Sequence, residues 1–412
     1  MIVLSNLRVE DADGWTRLVC DCDNPVCEED TMWFAVPREH KAYFRGANYD
    51  SFLVGILYTA MYYREDVRVE GPVSKEIYRN VMQYVKAILL SYSHELGDVD
   101  VAVAGFSEPL DFERAGIGTG FSAGVDSFST VIDRFVNEED PDYKVNTFFF
   151  FNVGSHGRFS DPVSHKKFLE RYELLKGYPD EVGVPFVPVD SNLHAYHEAW
   201  GHQRSHPITL LSGILALQGG VKRYYVASTL SYEEMNRFAA QSVNFDLAEY
   251  SETYLDPLLS TRNVQIVPDG HQHKRTQKTE NIVGYEPTYR YLNVCVSGED
   301  SADNCGRCEK CQRTLMALDS LDALDRYSGV FDLDVYRSNA PQYRRRQRYL
   351  YNKNPLAKDN VDFARAHGKA VPSYAAAWLS VVSAGVGRRL RQAAKALVGR
   401  TNYDRLKRAL KG

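Results

Sequence analysis

The chain has 412 residues, of which 44% are hydrophobic and 25% charged, with a net charge of −5. That length supports two or three packed domains, and that apolar share excludes an intrinsically disordered chain. No apolar run approaches the roughly 18 residues of a membrane span. The opening Met1-Ile2-Val3-Leu4-Ser5 lacks the length and basic flank of a secretory signal, so a cytoplasmic protein is expected. Residues 337–412 hold 18 Lys/Arg and 3 Asp/Glu, a net of +15 that leaves −20 for the rest. This shift marks a boundary near residue 337.

In chain order, strands are predicted over Ile2–Val9, Trp15–Cys22 and Thr31–Val36, rich in β-branched and aromatic residues and separated by turn residues. Helices follow over Tyr49–Tyr63 and Ser74–Tyr92, the second with Ile77, Val81, Val85 and Ile88 at helical spacing. Val99–Ala104 reads as a strand. Residues 1–110 are read as an α+β accessory domain that shapes a substrate entrance or binds a protein partner. Cys20 and Cys22 share a strand face and, with Cys27, read as core thiols.

From residue 111 the pattern alternates. Ile117–Phe121 is a strand, Phe128–Val136 a helix, Lys144–Val153 a strand around Thr147-Phe148-Phe149-Phe150-Phe151, and Pro162–Leu175 a helix. Pro185–Val189, the helix Pro207–Leu217 and the strand Arg223–Ala227 continue it. Such alternation implies an α/β domain with parallel strands, whose ligands bind at the strands' carboxyl ends.

Between the strand ending at Phe121 and its helix lies Ser122-Ala123-Gly124-Val125-Asp126-Ser127. A short hydroxyl-rich loop before a helix turns backbone N–H groups and partial positive charge toward a phosphate. Ser122 and Ser127 can donate to phosphate oxygens, and Asp126 can hold a Mg²⁺. An ordinary Gly/Ser turn is the plainer reading. Downstream, Cys295 is followed by Cys305-Gly306-Arg307-Cys308-Glu309-Lys310-Cys311. Two C-x-x-C steps set sulfurs about 3–4 Å apart, as tetrahedral zinc requires. A disulfide pair or free thiols are the alternatives, and thiolate spacing does not separate zinc from an Fe–S cluster.

The loop resembles the Ser-Gly-Gly-x-Asp-Ser signature of the PP-loop ATP pyrophosphatases. With the cysteine set and the following Arg313, the region from about 115 to 325 resembles the 7-cyano-7-deazaguanine synthases of queuosine biosynthesis. The resemblance implies an adenine nucleotide alpha-hydrolase-like fold, ATP with Mg²⁺ as nucleotide, and a structural Zn²⁺ on Cys295, Cys305, Cys308 and Cys311. It also implies a ligase that releases AMP and pyrophosphate while activating a carboxylate for amide or nitrile formation. Ser122, Ala123, Gly124, Val125, Asp126 and Ser127 would grip the phosphates, and Asn152, Val153 and Gly154 would meet the adenine. Asp126, Ser127, Arg204 and Lys278 would carry the catalytic charge, with His156 as a weaker candidate. His202-Gln203-Arg204-Ser205 sits where the family has an Arg-Asn pair before a helix.

Two departures matter. Ala123 replaces the family's first glycine, and a methyl group there calls for negative φ. Leu230-Ser231-Tyr232-Glu233-Glu234-Met235-Asn236-Arg237 replaces the family's substrate segment, so a different acceptor is expected: a small molecule or a protein-terminal carboxylate. His194, His197, His202 and His206 read as pocket-rim residues rather than metal ligands.

The expected organisation is therefore an accessory domain (1–110), an ATP-binding domain (111–290), a four-cysteine helical segment (291–336) and a basic helical tail (337–412). Two rivals stand beside the ligase. One is a PP-loop RNA-modifying enzyme that holds RNA with Arg344-Arg345-Arg346, Arg348 and the neighbouring tyrosines. The other is a non-catalytic ATP-binding subunit of a defence or surface-polysaccharide assembly. The amphipathic stretch Val386–Lys411 suits RNA, an anionic membrane surface or the chain's own acidic body. A homo-oligomer is expected.

Overall fold

The computed structural model describes residues 1–241, 251–295 and 303–383. The chain divides into two compact units, one formed by residues up to Val294 and the other by Cys295 and the residues from Asn304 onward.

The first unit is built on a ten-stranded mixed, mostly parallel sheet. Its strands are β1 (Ile2–Ala12), β2 (Trp15–Asp23), β3 (Thr31–Pro37), β4 (Val67–Ser74), β5 (Val101–Ser107), β6 (Gly116–Gly120), β7 (Thr147–Phe151), β8 (Phe186–Ser191), β9 (Val221–Ala227) and β10 (Gln265–Asp269). They lie in the order β10-β9-β6-β7-β8-β3-β2-β1-β4-β5. The five strands from β10 to β8 are all parallel. The chain lays down β6, then β7 and β8 on one side, then β9 and β10 on the other. A parallel sheet opens a crevice where its order reverses, beyond the carboxyl ends of the strands. Here that point lies between β6 and β9.

Local sequence accounts for this half. All five residues of β7, Thr147 to Phe151, are buried, as a strand covered on both faces demands. Gly118 in β6 makes room for its neighbours: a Cβ there would lie 2.6 Å from the Phe149 ring and 3.1 Å from Tyr224. Each buried phenylalanine contributes about 1.5–3 kcal/mol by leaving water.

The boundary expected near residue 110 does not divide two units. Strand β3 pairs with β8 through Phe34↔Ser191 and Ala35↔Asp190, which joins the amino-terminal strands to the parallel half. The helix Asp50–Tyr63 is buried along nearly its whole length and packs against the helix His202–Ala216. Gly55 permits the approach, since a Cβ would stand 2.7 Å from Ser212 Oγ. That hydroxyl donates to Ser51 O at 2.6 Å. His197 ties the same surfaces together: its Nε2–H donates to Gly55 O at 2.9 Å, and its Nδ1 is 3.0 Å from Ser205 Oγ. Burial pushes the His197 ring down to about 4, so it stays neutral.

The second unit holds the helices Glu309–Ser320, Leu333–Leu350 and Pro355–Ala366. The boundary drawn from charge at residue 337 falls inside Leu333–Leu350, because Tyr336, Ala340, Tyr343 and Gln347 bury one face while the arginines cover the other. No described helix is long and apolar enough to cross a membrane.

Candidate functional site

The loop 122–127 leaves the end of β6 at the sheet's reversal point. Its preceding residue is anchored, with Phe121 N–H donating to Phe149 O at 2.8 Å. Its helix begins three residues earlier than expected, at Val125, and continues through one wider turn to Val136. Gly124 is the N-cap residue in extended conformation, and its carbonyl accepts from Phe128 N at 3.0 Å. Ser127 Oγ donates to the same carbonyl at 3.1 Å and lies 3.4 Å from Ser122 Oγ.

Ala123 does not have the negative φ its methyl group calls for. It sits at φ +55°, almost fully buried, and its carbonyl accepts from Asn293 N at 2.8 Å. The loop therefore keeps a left-handed turn where glycine would be unstrained, at a cost of about 1–2 kcal/mol. Ala123→Gly is expected to raise stability by about 1 kcal/mol, read as a shift in denaturant midpoint. A destabilised variant would mean that methyl packing outweighs the backbone strain.

Asp126, in the first turn, forms an ion pair with Arg275 and has Lys278 Nζ 3.7 Å from Oδ1. Oδ1 is buried and has no hydrogen-bond partner among the described residues. Arg275 and Lys278 lie one turn apart on the helix Arg275–Val283 and so share a face. Lys278 is 1% exposed, donating to Ser228 O at 2.6 Å and Ser228 Oγ at 2.8 Å. Burial lowers its pKa, with Asp126 opposing that shift. A second link fixes the loop helix: Thr130 Oγ1 donates to Asp269 Oδ2 at 2.9 Å and Arg134 Nε to Oδ1 at 2.8 Å.

Beside the loop lies a cavity of about 320 Å³ lined by Ser122, Asp126 and Ser127 together with Phe149, Val153 and Tyr224 among others. The Tyr224 hydroxyl and His202 Nδ1, both on lining residues, are buried without a hydrogen-bond partner among the described residues.

In the second unit, Cys295, Cys305, Cys308 and Cys311 gather with all four Sγ atoms within 4.8 Å of one another. Cys305 Sγ lies 4.0 Å from Cys311 Sγ, near the spacing of two sulfurs on a tetrahedral zinc. The turn is shaped for this. Gly306 has φ +64°, and the N–H groups of Arg307 and Cys308 point at Cys305 Sγ at 3.4 and 3.3 Å. Cys308 Sγ accepts from Cys311 N at 3.5 Å, capping Glu309–Ser320. No other group of three or more described His, Cys, Asp or Glu side chains converges this way.

No family model, curated protein or solved structure matches the chain.

The expected residues are distributed as follows. Ser122 to Ser127 and Lys278 come together, and Val153 lines the cavity. Asn152 lies behind it, its amide donating to Asp190 Oδ1 at 2.7 Å. Gly154, at φ +112°, lets His202 approach, for a Cβ would be 3.2 Å from His202 Nδ1. Arg204 is not brought to the loop: it pairs with Glu95 and does not line the cavity. His156 stands behind the cavity wall against the rings of Phe150 and Phe168, and burial pushes it down to about 3. His206 lines the cavity and reaches Glu252 Oε1 at 3.2 Å. Arg275, three residues before Lys278, takes the place expected of Arg204 beside Asp126. The i, i+3 spacing of the two cations was the signal for it.

Proposed function

We propose that the first unit binds ATP at the 122–127 loop and transfers AMP to a carboxylate, releasing pyrophosphate. The observation that carries this reading is a phosphate-type loop at the sheet's reversal point with Asp126, Arg275 and Lys278 grouped beside it. The cavity has rings and an aliphatic side chain suited to a base (Phe149, Tyr224, Val153) and the hydroxyls of Ser122 and Ser127 for phosphates. Oδ1 of Asp126, which accepts no hydrogen bond among the described residues, suits a cation, and a Mg²⁺ held there would offset charge between phosphate oxygens.

The chain's own residues would do three things. Backbone N–H groups at the start of Val125–Val136 and the hydroxyls of Ser122 and Ser127 would hold the departing β,γ-phosphates. Arg275 and Lys278 would exchange part of their pairing with Asp126 for the charge that grows on pyrophosphate. The cavity walls would keep water from the α-phosphorus. A substrate carboxylate oxygen bonds to that phosphorus as the bond to pyrophosphate breaks. The acyl-adenylate then takes an amine or ammonia, and AMP leaves.

The test is conversion of α-labelled ATP with ammonia and a panel of carboxylates. AMP and pyrophosphate are expected, with at least a hundredfold loss in Asp126→Asn. ADP as product, or undiminished AMP in the variant, would sink the reading.

A further inference from the structure

The second unit ends its described part in a feature that neither the nucleotide site nor the cysteine cluster uses. Helix 374–383 buries Ala377 yet leaves Tyr374, Trp378, Leu379 and Val382 between 40 and 60% exposed. Tyr374, Trp378 and Val382 recur every fourth residue, with Leu379 beside them, so they form one stripe. Folded chains seldom leave four large apolar side chains together in water without a use for them.

Cations flank this stripe. Arg348 lies 5.5 Å from the Tyr374 ring, which stacks on Tyr349, and Lys353 lies 4.0 Å from Tyr349. Arg348 and Lys353 have no acidic partner among the described salt bridges, whereas Arg344 and Arg346 are held by Asp319 and Glu309. Residues 384–412, outside the described part, add nine Lys/Arg against one Asp in sequence.

We infer that the stripe on helix 374–383, with Arg348 and Lys353 beside it, is a docking surface for an anionic lipid bilayer. Aromatic rings favour the headgroup level, aliphatic side chains the acyl boundary, and nearby basic residues are drawn to an anionic leaflet. RNA offers phosphates and stacking bases but no apolar phase for Leu379 and Val382. An acidic protein face answers the charge and leaves the stripe wet. With no described helix suited to span a membrane, the contact is peripheral.

The full-length protein is spun with vesicles of phosphatidylcholine containing about a third phosphatidylglycerol, in about 0.15 M salt, and with pure phosphatidylcholine vesicles. Binding to the first and not the second is expected. It should fall at least tenfold in the double variant Trp378→Ser/Leu379→Ser, whose exposed positions leave the melting temperature unchanged. Brominated acyl chains should quench tryptophan fluorescence in the wild type, and Trp378→Phe should remove that quenching. Four results overturn the inference. One is no sedimentation with anionic vesicles, and another is sedimentation that the double variant leaves intact. A third is polyuridylate displacing the vesicles equally well from protein and variant. The last is a Trp378 emission already blue-shifted before vesicles are added, which would mark docking on the chain itself or on a second copy.

Discussion

Replacing Lys278 by methionine is expected to cost triphosphate binding far more than it costs stability. Methionine keeps the unbranched, buried packing of the side chain and removes the charge together with the hydrogen bonds to Ser228. In the free protein Asp126 retains Arg275 as partner, so no carboxylate is orphaned. Stability should therefore change by about 1 kcal/mol, the worth of the hydrogen bonds to Ser228. A triphosphate draws on Lys278 as a charge-assisted donor worth about 1.5–3 kcal/mol, so affinity for Mg²⁺-ATP or inorganic tripolyphosphate should fall about 10- to 100-fold. Asp126→Asn should behave in the opposite sense. It takes away the carboxylate that Arg275 and Lys278, 7% and 1% exposed, both face. Loss of one partner from a buried pair costs about 3 kcal/mol. Tripolyphosphate should then raise the melting temperature of Asp126→Asn more than that of the wild type, because it returns the missing negative charge. Equal affinity in Lys278→Met, or no extra rescue of Asp126→Asn, would remove these groups from the phosphate site.

What the sequence made legible was local. The helix Pro162–Leu175 is read to the residue, because Asp161 caps it by accepting from Val163 N and Pro162 occupies its first turn. The phenylalanine run of β7 and the loop after β6 are similarly self-announcing. Strand β4 has a plain alternation, with Val67, Val69, Gly71 and Val73 buried and Arg68, Glu70 and Pro72 exposed, yet Gly71-Pro72 reads as a breaker. Strand β10 is hidden by Pro268 in the same way.

The remainder depended on partners distant along the chain. The single amino-terminal unit follows from a two-residue seam between β3 and β8 and from a close helix contact at Gly55, and composition registers neither. Glu95 holds Arg204 from 109 residues away, and Arg275 reaches Asp126 across 149. Side-chain type identified a need for cations near the loop without saying which would arrive. Ala123 shows the same limit for backbone: the Asn293 N–H bond and the enclosing packing sustain a conformation that its own side chain disfavours.

Removing metal from the four-cysteine cluster is expected to unfold the turn 305–311 and loosen the second unit. Three features suit the cluster to a cation. Burial and the neighbouring Cys308 push Cys311 well above the ordinary thiol range, so a cation is what would hold it as a thiolate. The N–H groups of Arg307, Cys308 and Cys311 all point at sulfur, an arrangement that stabilises thiolates. Cys308 also caps the helix Glu309–Ser320, which packs against Leu333–Leu350 and Pro355–Ala366, so the turn and the helices stand or fall together. Purified protein should carry about one zinc per chain. Chelation, or Cys308→Ser, should lower the melting temperature of this unit by several degrees and open its amides to hydrogen exchange first at 305–320. Serine still offers an oxygen to cap the helix, so a loss seen in Cys308→Ser reports the metal rather than the cap. Iron with sulfide in place of zinc would reassign the centre as a cluster, and a metal-free protein with an unchanged melting temperature would reduce the four cysteines to packed thiols.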